Sequence, residues 1–130
     1  MSGSLVLDCQ ALSKLVAQHR DMEQWIAFAR VKGLTVVTSA VTLVEARDPK
    51  ARQAAVDFAL SRVRILPVSE GIARSASKLL ADGNLHGHKY AIDAVLAATA
   101  HLETGEVTLL TSDVDDLSRL CLPRIQVESA

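Results

Sequence analysis

Residues 107–120 read VTLLTSDVDDLSRL. The first half is an apolar, β-branched run of strand length, the second has the pattern of a helix that Pro123 stops, and Asp113 stands at the change-over. A strand running straight into a helix is the building unit of an α/β sheet, and the chain repeats it. LVLD at 5–8, TVVTS at 35–39, RILPV at 64–68 and RIQV at 124–127 are the other short β-rich runs, and helical patterns lie between them. The alternation predicts a three-layer α/β/α domain, with a mostly parallel central sheet of about five strands covered by helices on both faces.

The intervening helices carry their own stop and start signals. A first helix is expected from about Gln10 to Gln18, and Met22, Trp25, Ile26 and Ala29 give a second the right spacing, with Gly33 as its stop. VTLVEAR forms a third, capped by Ser39. In DPKARQAAVDFALSRV, Asp48 is expected to cap and Pro49 to take the first helical position. Ser69 caps a further helix that Gly83 ends, and the loop DGNLHGH leads into the long helix KYAIDAVLAATAHL.

Bulk properties narrow the function. One domain spans residues 1–130, and 49% hydrophobic with 22% charged residues is the balance of a globular protein. Aromatics are only 3%, too few for a base-stacking surface, and a net charge of -1 supplies no global attraction for nucleic acid. No apolar run reaches the roughly 18 residues of a membrane span. The start MSGSLVLD has neither a basic leader nor a cleavage site, so a cytoplasmic protein is expected, with no membrane partner. Cys9 and Cys121 have no metal-type spacing and are expected to be reduced, half-buried thiols, with Cys9 pointing into the core.

Four acids stand in unusual places. Asp8 ends the apolar strand LVL and Asp113 ends LLTS, which puts both at the carboxyl rim of the sheet, where open α/β folds bind ligands. Glu45 follows the second strand, and Asp93 interrupts the apolar face of the long helix. Both are expected early in helices that leave the same rim. Asp116 shares the helical face of Asp113, whereas Asp115 turns to solvent. Each acid alone has an ordinary use: Asp8 or Asp113 as a helix cap, Glu45 paired with an Arg, Asp93 paired with Lys89 one turn earlier.

Convergence changes the balance. Four ionised carboxylates about 5 Å apart at an effective dielectric of ~20 repel by ~3 kcal/mol per pair, and the summed repulsion exceeds a typical domain stability of about 5–15 kcal/mol. Either some are protonated or a cation sits among them. A donor set of oxygens without His or Cys suits Mg²⁺ or Mn²⁺. His86 and His88 form an H-x-H pair, but no Cys or third His stands at zinc-like spacing. No phosphate-cradling glycine loop or nucleophile-elbow motif occurs.

Taken in order, LVLD, TLVEAR, HKYAIDAVLAATA and LLTSDVDDLSRL resemble the PIN-domain ribonucleases, specifically the VapC-type toxins of bacterial toxin-antitoxin pairs. The resemblance covers essentially the whole chain. It implies a PIN-like fold and Mg²⁺- or Mn²⁺-dependent hydrolysis of phosphodiester bonds in single-stranded or loop RNA, with a cognate antitoxin as partner and a homodimer as the assembly. Asp8, Glu45, Asp93 and Asp113 match the family's acidic quartet. Asp8, Asp93 and Asp113 would hold metal with Asp116 as an auxiliary ligand, and Thr111 matches the hydroxyl residue that often precedes the last acid by two. The chain departs from the family at Gln10, where many relatives have Ser or Thr, which bears on substrate positioning more than on metal binding. Arg47 and Lys50, with Arg52, His86, His88 and Lys89 nearby in sequence, are candidates for a local RNA-binding lining. Two rival readings stay open: another Mg²⁺-dependent phosphoryl-transfer enzyme, and a catalytically silent PIN-like module that binds RNA or a partner. A dehalogenase-type phosphatase would want an acid where Gln10 stands, and a receiver domain an Asp at the end of RILPV.

Overall fold

The computed structural model describes residues 3–130; Met1 and Ser2, which open the MSGSLVLD start and carry part of the leader reading, lie outside the described residues. Five strands, β1 (Ser4–Leu7), β2 (Thr35–Ser39), β3 (Arg64–Leu66), β4 (Val107–Thr111) and β5 (Ile125–Ser129), form one sheet in the order β3-β2-β1-β4-β5. Every neighbouring pair runs parallel. The sheet is thus wholly, not mostly, parallel, as expected of strands that each return through a helix.

The described residues also form seven helices: α1 (Cys9–Val16), α2 (Arg20–Lys32), α3 (Ala40–Glu45), α4 (Gln53–Leu60), α5 (Glu70–Asp82), α6 (Gly87–Leu102) and α7 (Val114–Leu120). Alternation along the strands sends side chains into two separate cores. Leu5, Leu7 and Leu110 join Ala11, Leu15, Met22, Ile26 and Ala59 on the face covered by α1, α2 and α4. Val6, Val37 and Leu109 join Ile72, Ala76, Ala94, Ala97, Leu117 and Leu120 on the face covered by α5, α6 and α7. All four residues of β1 are buried, because it has a neighbour on each side and a helix layer on each face.

Two glycines are required by the backbone. Gly33 ends α2 in the left-handed region at φ 71, as its place in the sequence suggested. Gly3 lies so close to Glu106 that an added Cβ would fall 2.0 Å from its carbonyl oxygen, and its own carbonyl accepts from Thr35 N at 2.9 Å.

One helix start differs from expectation. Asp48 does not cap α4; its Oδ1 accepts from Lys50 N at 2.9 Å and its carbonyl from Ala51 N at 3.0 Å, closing a local turn. An aspartate satisfied by the amide two residues on makes a turn rather than a helix. Arg52 is then extended, and α4 begins at Gln53, whose side chain bonds Asp57 one turn later. Among the described residues no helix is long and apolar enough to cross a membrane.

Candidate metal centre at the sheet rim

β1 lies between β2, which it precedes directly, and β4, which the chain reaches only after crossing to the far edge at β3. Strand order therefore reverses at the β1/β4 boundary, and the loops above it diverge to leave a crevice at the carboxyl ends. Asp8 follows β1 there, and Asp113 lies two residues beyond β4.

Asp8 is buried, with only 7% exposure. Its Oδ1 accepts from Ala11 N at 2.8 Å, so the helix-capping use is real. Its Oδ2 accepts from Ser112 N at 3.2 Å, across the crevice in the loop that leaves β4. The strand end beneath is pinned as well: Thr38 Oγ1 donates to the Leu7 carbonyl at 2.7 Å, and Asp8 N donates to the Leu110 carbonyl at 3.0 Å.

Asp113 precedes α7, yet its carboxylate makes no capping bond. Instead its backbone N–H donates to the Thr111 hydroxyl at 2.9 Å, which is what the buried Thr111 does. The Asp113 carboxylate is left to point outward, beside Asp116 and opposite Asp93 of α6. One oxygen from each of Asp93, Asp113 and Asp116 lies within 4.8 Å of the other two. Asp115 is exposed, as its helical position required.

The electrostatics record this crowding. Burial first, then the charges of Glu45, Asp113, Asp116 and Asp8, push the Asp93 carboxyl from 3.8 up to about 6. Asp113 is raised too, chiefly because its carboxyl lies within hydrogen-bonding reach of Asp116, a contact two ionised carboxylates can make only through a shared proton or cation. Among the described residues none of Asp8, Glu45, Asp93, Asp113 and Asp116 forms an ion pair with Lys, Arg or His. Lys89, the ordinary alternative partner for Asp93, sits 5.1 Å over the Tyr90 ring.

Glu45 is not early in its helix: α3 has only six residues and Glu45 is the last, exposed at the edge of the crevice. Its charge still reaches Asp93, and it lies within hydrogen-bonding reach of the Cys9 thiol. Burial, followed by Glu45, pushes that thiol up to about 12, which makes it a poor nucleophile. Cys9 thus stands half-buried beside an acid rather than wholly within the core, and both cysteines are free thiols.

The expected basic lining lies to one side. Arg47, Lys50 and Arg52 border a cavity of about 310 Å³ whose walls are Leu12 and Val16 of α1, Leu43 of α3, and Val56 and Leu60 of α4. His86, His88 and Lys89 are exposed at the start of α6, and Gln10 is exposed in the first turn of α1. The cavity was not anticipated, although Val56 and Leu60, at i and i+4 on a short helix, are its visible trace.

The donor set fits a hard divalent ion. Three carboxylates converge, none is ion-paired among the described residues, and the half-buried Asp93 resists ionising until a positive charge offsets its neighbours. A parallel sheet with such a cluster at its switch point defines an α/β protein with a candidate ion-binding crevice. A PIN-domain family profile matches residues 5–122, and the chain belongs to the PIN-domain family.

Solved structures agree in fold. VapBC2 from Rickettsia felis bound to a promoter DNA fragment is 20% identical over 100% of this chain and 99% of that one, with a TM-score of 0.68. A toxin-antitoxin complex from Klebsiella pneumoniae is 22% identical over 94% and 95%, with a TM-score of 0.67. FitAB bound to a DNA fragment is 20% identical over 96% and 94%, with a TM-score of 0.61. No curated protein matches the chain significantly.

Proposed function

We propose that the chain is a Mg²⁺- or Mn²⁺-dependent endoribonuclease of the VapC type, acting on RNA in the cytoplasm as the toxin of a toxin-antitoxin pair. The observation that carries this reading is the convergence of Asp93, Asp113 and Asp116 within 4.8 Å with, among the described residues, no Lys, Arg or His ion-paired to them. An ion bound there supplies charge neutralisation at a phosphate oxygen and a more acidic water for in-line attack. The chain's own part is to hold the carboxylates close and unpaired, on a rim that is open on the solvent side through Glu45 and Asp113. None of the acids need become covalently attached to substrate. Cys9, with its thiol protonated, takes no nucleophilic role.

Incubation of the purified protein with mixed cellular RNA, with and without Mn²⁺, tests the reading. Metal-dependent cleavage supports it, turnover of phosphate monoesters alone would support the rival phosphoryl enzyme, and RNA binding without cleavage would support the silent module.

The antitoxin is assigned to the apolar cavity between α1, α3 and α4. Apolar walls beside Arg47, Lys50 and Arg52 suit an amphipathic segment with acidic flanks, and neighbours of this fold are toxin-antitoxin complexes. Val56→Asp should weaken antitoxin binding at least tenfold, the effect of placing an unpaired charge in an apolar contact, and leave Mn²⁺ binding intact. Titration of the variant with each partner checks both halves.

A further inference from the structure

Residues 121–124 join the end of α7 to the start of β5, at the opposite end of the sheet from the acids. Leu122, Pro123 and Arg124 are exposed, so burial does not hold the link in place, and Pro123 has no amide to donate. Three hydrogen bonds fasten it to the end of α6. Leu122 N donates to His101 Nε2 at 3.0 Å, and the Arg124 guanidinium donates to the carbonyls of His101 and Glu103 at 2.5 and 3.0 Å. On either side the chain is anchored by the buried Leu120 and Ile125. The link is therefore a bounded segment that can open while both cores stay closed.

One of the three fastenings depends on a proton. A neutral imidazole accepts at Nε2 when its proton is on Nδ1, whereas a protonated ring is a donor at both nitrogens and would set its own N–H against that of Leu122. Burial first, then the Arg124 guanidinium, hold the His101 imidazole below its ordinary 6.5. A histidine in the last turn of a helix is usually favoured as a cation, but here Arg124 already occupies the terminal carbonyls. The other charges packed about α6 are committed elsewhere. On α5, Arg74 pairs with Glu70 at 2.7 Å and Lys78 with Asp82 at 3.0 Å. Glu103 is engaged by Ser4 and by Arg64 of β3, and Arg119 of α7 is exposed. Burial pushes the Cys121 thiol up to about 11, so it stays neutral.

We propose that His101 is the catch of a proton-operated latch: a neutral ring holds the Leu122 amide, and a protonated ring releases it and lets residues 121–124 open while α7 and β5 stay in place. The latch answers to acid. A group held below its ordinary pKa contributes its stability fully above pH 6.5 and loses it as pH falls through the lowered value. It needs no ion at the rim and is independent of the nuclease reading.

Amide exchange on the full chain, followed by NMR with the His101 ring titrated in the same samples, tests the latch. After correction for the intrinsic effect of pH, exchange at Leu122 should quicken about 3- to 10-fold relative to Leu109 of β4 between about pH 8 and 5, the worth of one hydrogen bond. His101→Gln carries an acceptor that does not titrate, and should keep Leu122 protected at both ends of this range. His101→Ala has no acceptor there and should leave Leu122 unprotected throughout. The same acid quickening in His101→Gln would assign the effect to another group and overturn the proposal. A wild-type His101 ring that becomes protonated while Leu122 stays protected would overturn it without any substitution, so the test does not depend on either variant folding.

Discussion

The two ends of the sheet handle acids in opposite ways. At the amino end Glu103, with 12% of its side chain exposed, accepts from Ser4 Oγ at 2.5 Å and lies 3.9 Å from Arg64. Arg124 adds bonds to the carbonyls of His101 and Glu103, at 2.5 and 3.0 Å, and Leu122 N donates to His101 Nε2 at 3.0 Å. Nothing there asks for an outside charge. At the carboxyl end several acids crowd together and, among the described residues, no Lys, Arg or His pairs with them. A buried or half-buried acid is structural when the fold partners it, and it points to a missing partner when the fold withholds one.

Breaking the unpaired end should have the largest effect. Asp93→Asn is expected to reduce metal-dependent RNA cleavage by more than about 100-fold, beyond the loss from a supporting residue, while raising the melting temperature of the metal-free protein. Cleavage assays and thermal melts on the same preparation check both signs. Full activity in this variant would remove Asp93 from the site.

Next in size is the ion itself. Mn²⁺ at 100 times its dissociation constant should stabilise the chain by about 2.7 kcal/mol, and a chelator should reverse this. Glu103→Ala should instead destabilise by about 1–3 kcal/mol through the buried Ser4 hydroxyl it strands, with the Mn²⁺ increment unchanged. A Glu103 variant that lost the increment would break the contrast between the ends.

The two ends should also respond to pH with opposite slopes. Asp93 is raised from 3.8 to about 6 in the fold, so its contribution to stability is greatest below pH 3.8 and is lost as pH rises through 6. His101, lowered from 6.5 by burial and then by Arg124, contributes fully above pH 6.5 and loses that contribution as pH falls below it. Melting temperatures of Asp93→Asn and His101→Gln across this range should each flatten one slope, and Mg²⁺ should remove the Asp93 slope alone. The smallest effect concerns Arg47 and Lys50. Replacing both should reduce the salt dependence of single-stranded RNA binding by about 1.4 in log-log slope, read by binding titrations at several ionic strengths.

Much of the site was legible because the rim of a parallel sheet is written in strand ends. Apolar runs that close on Asp8 and Asp113 announce where those acids stand, and a lone acid in the apolar face of α6 announces Asp93. Helix spacing likewise put Asp116 with Asp113 and turned Asp115 away. Loops hid the rest. Which amides Asp8 accepts from depends on Ser112, 104 residues away, and no local pattern encodes that meeting. Glu45 closes α3 instead of opening it, and α4 starts four residues after Pro49, because a side chain two residues from an amide competes with the helix for it. The cavity beside Arg47 is formed by three helices at once, so each of them shows only one or two of its apolar residues.

The place of β1 in the sheet has a consequence for synthesis. This strand is made well before its β4 neighbour and the Ser112 amide, which lies 104 residues after Asp8. Long-range pairing of this kind is the slow part of folding. A nascent chain that has not yet reached β4 therefore has no rim at which to gather its acids.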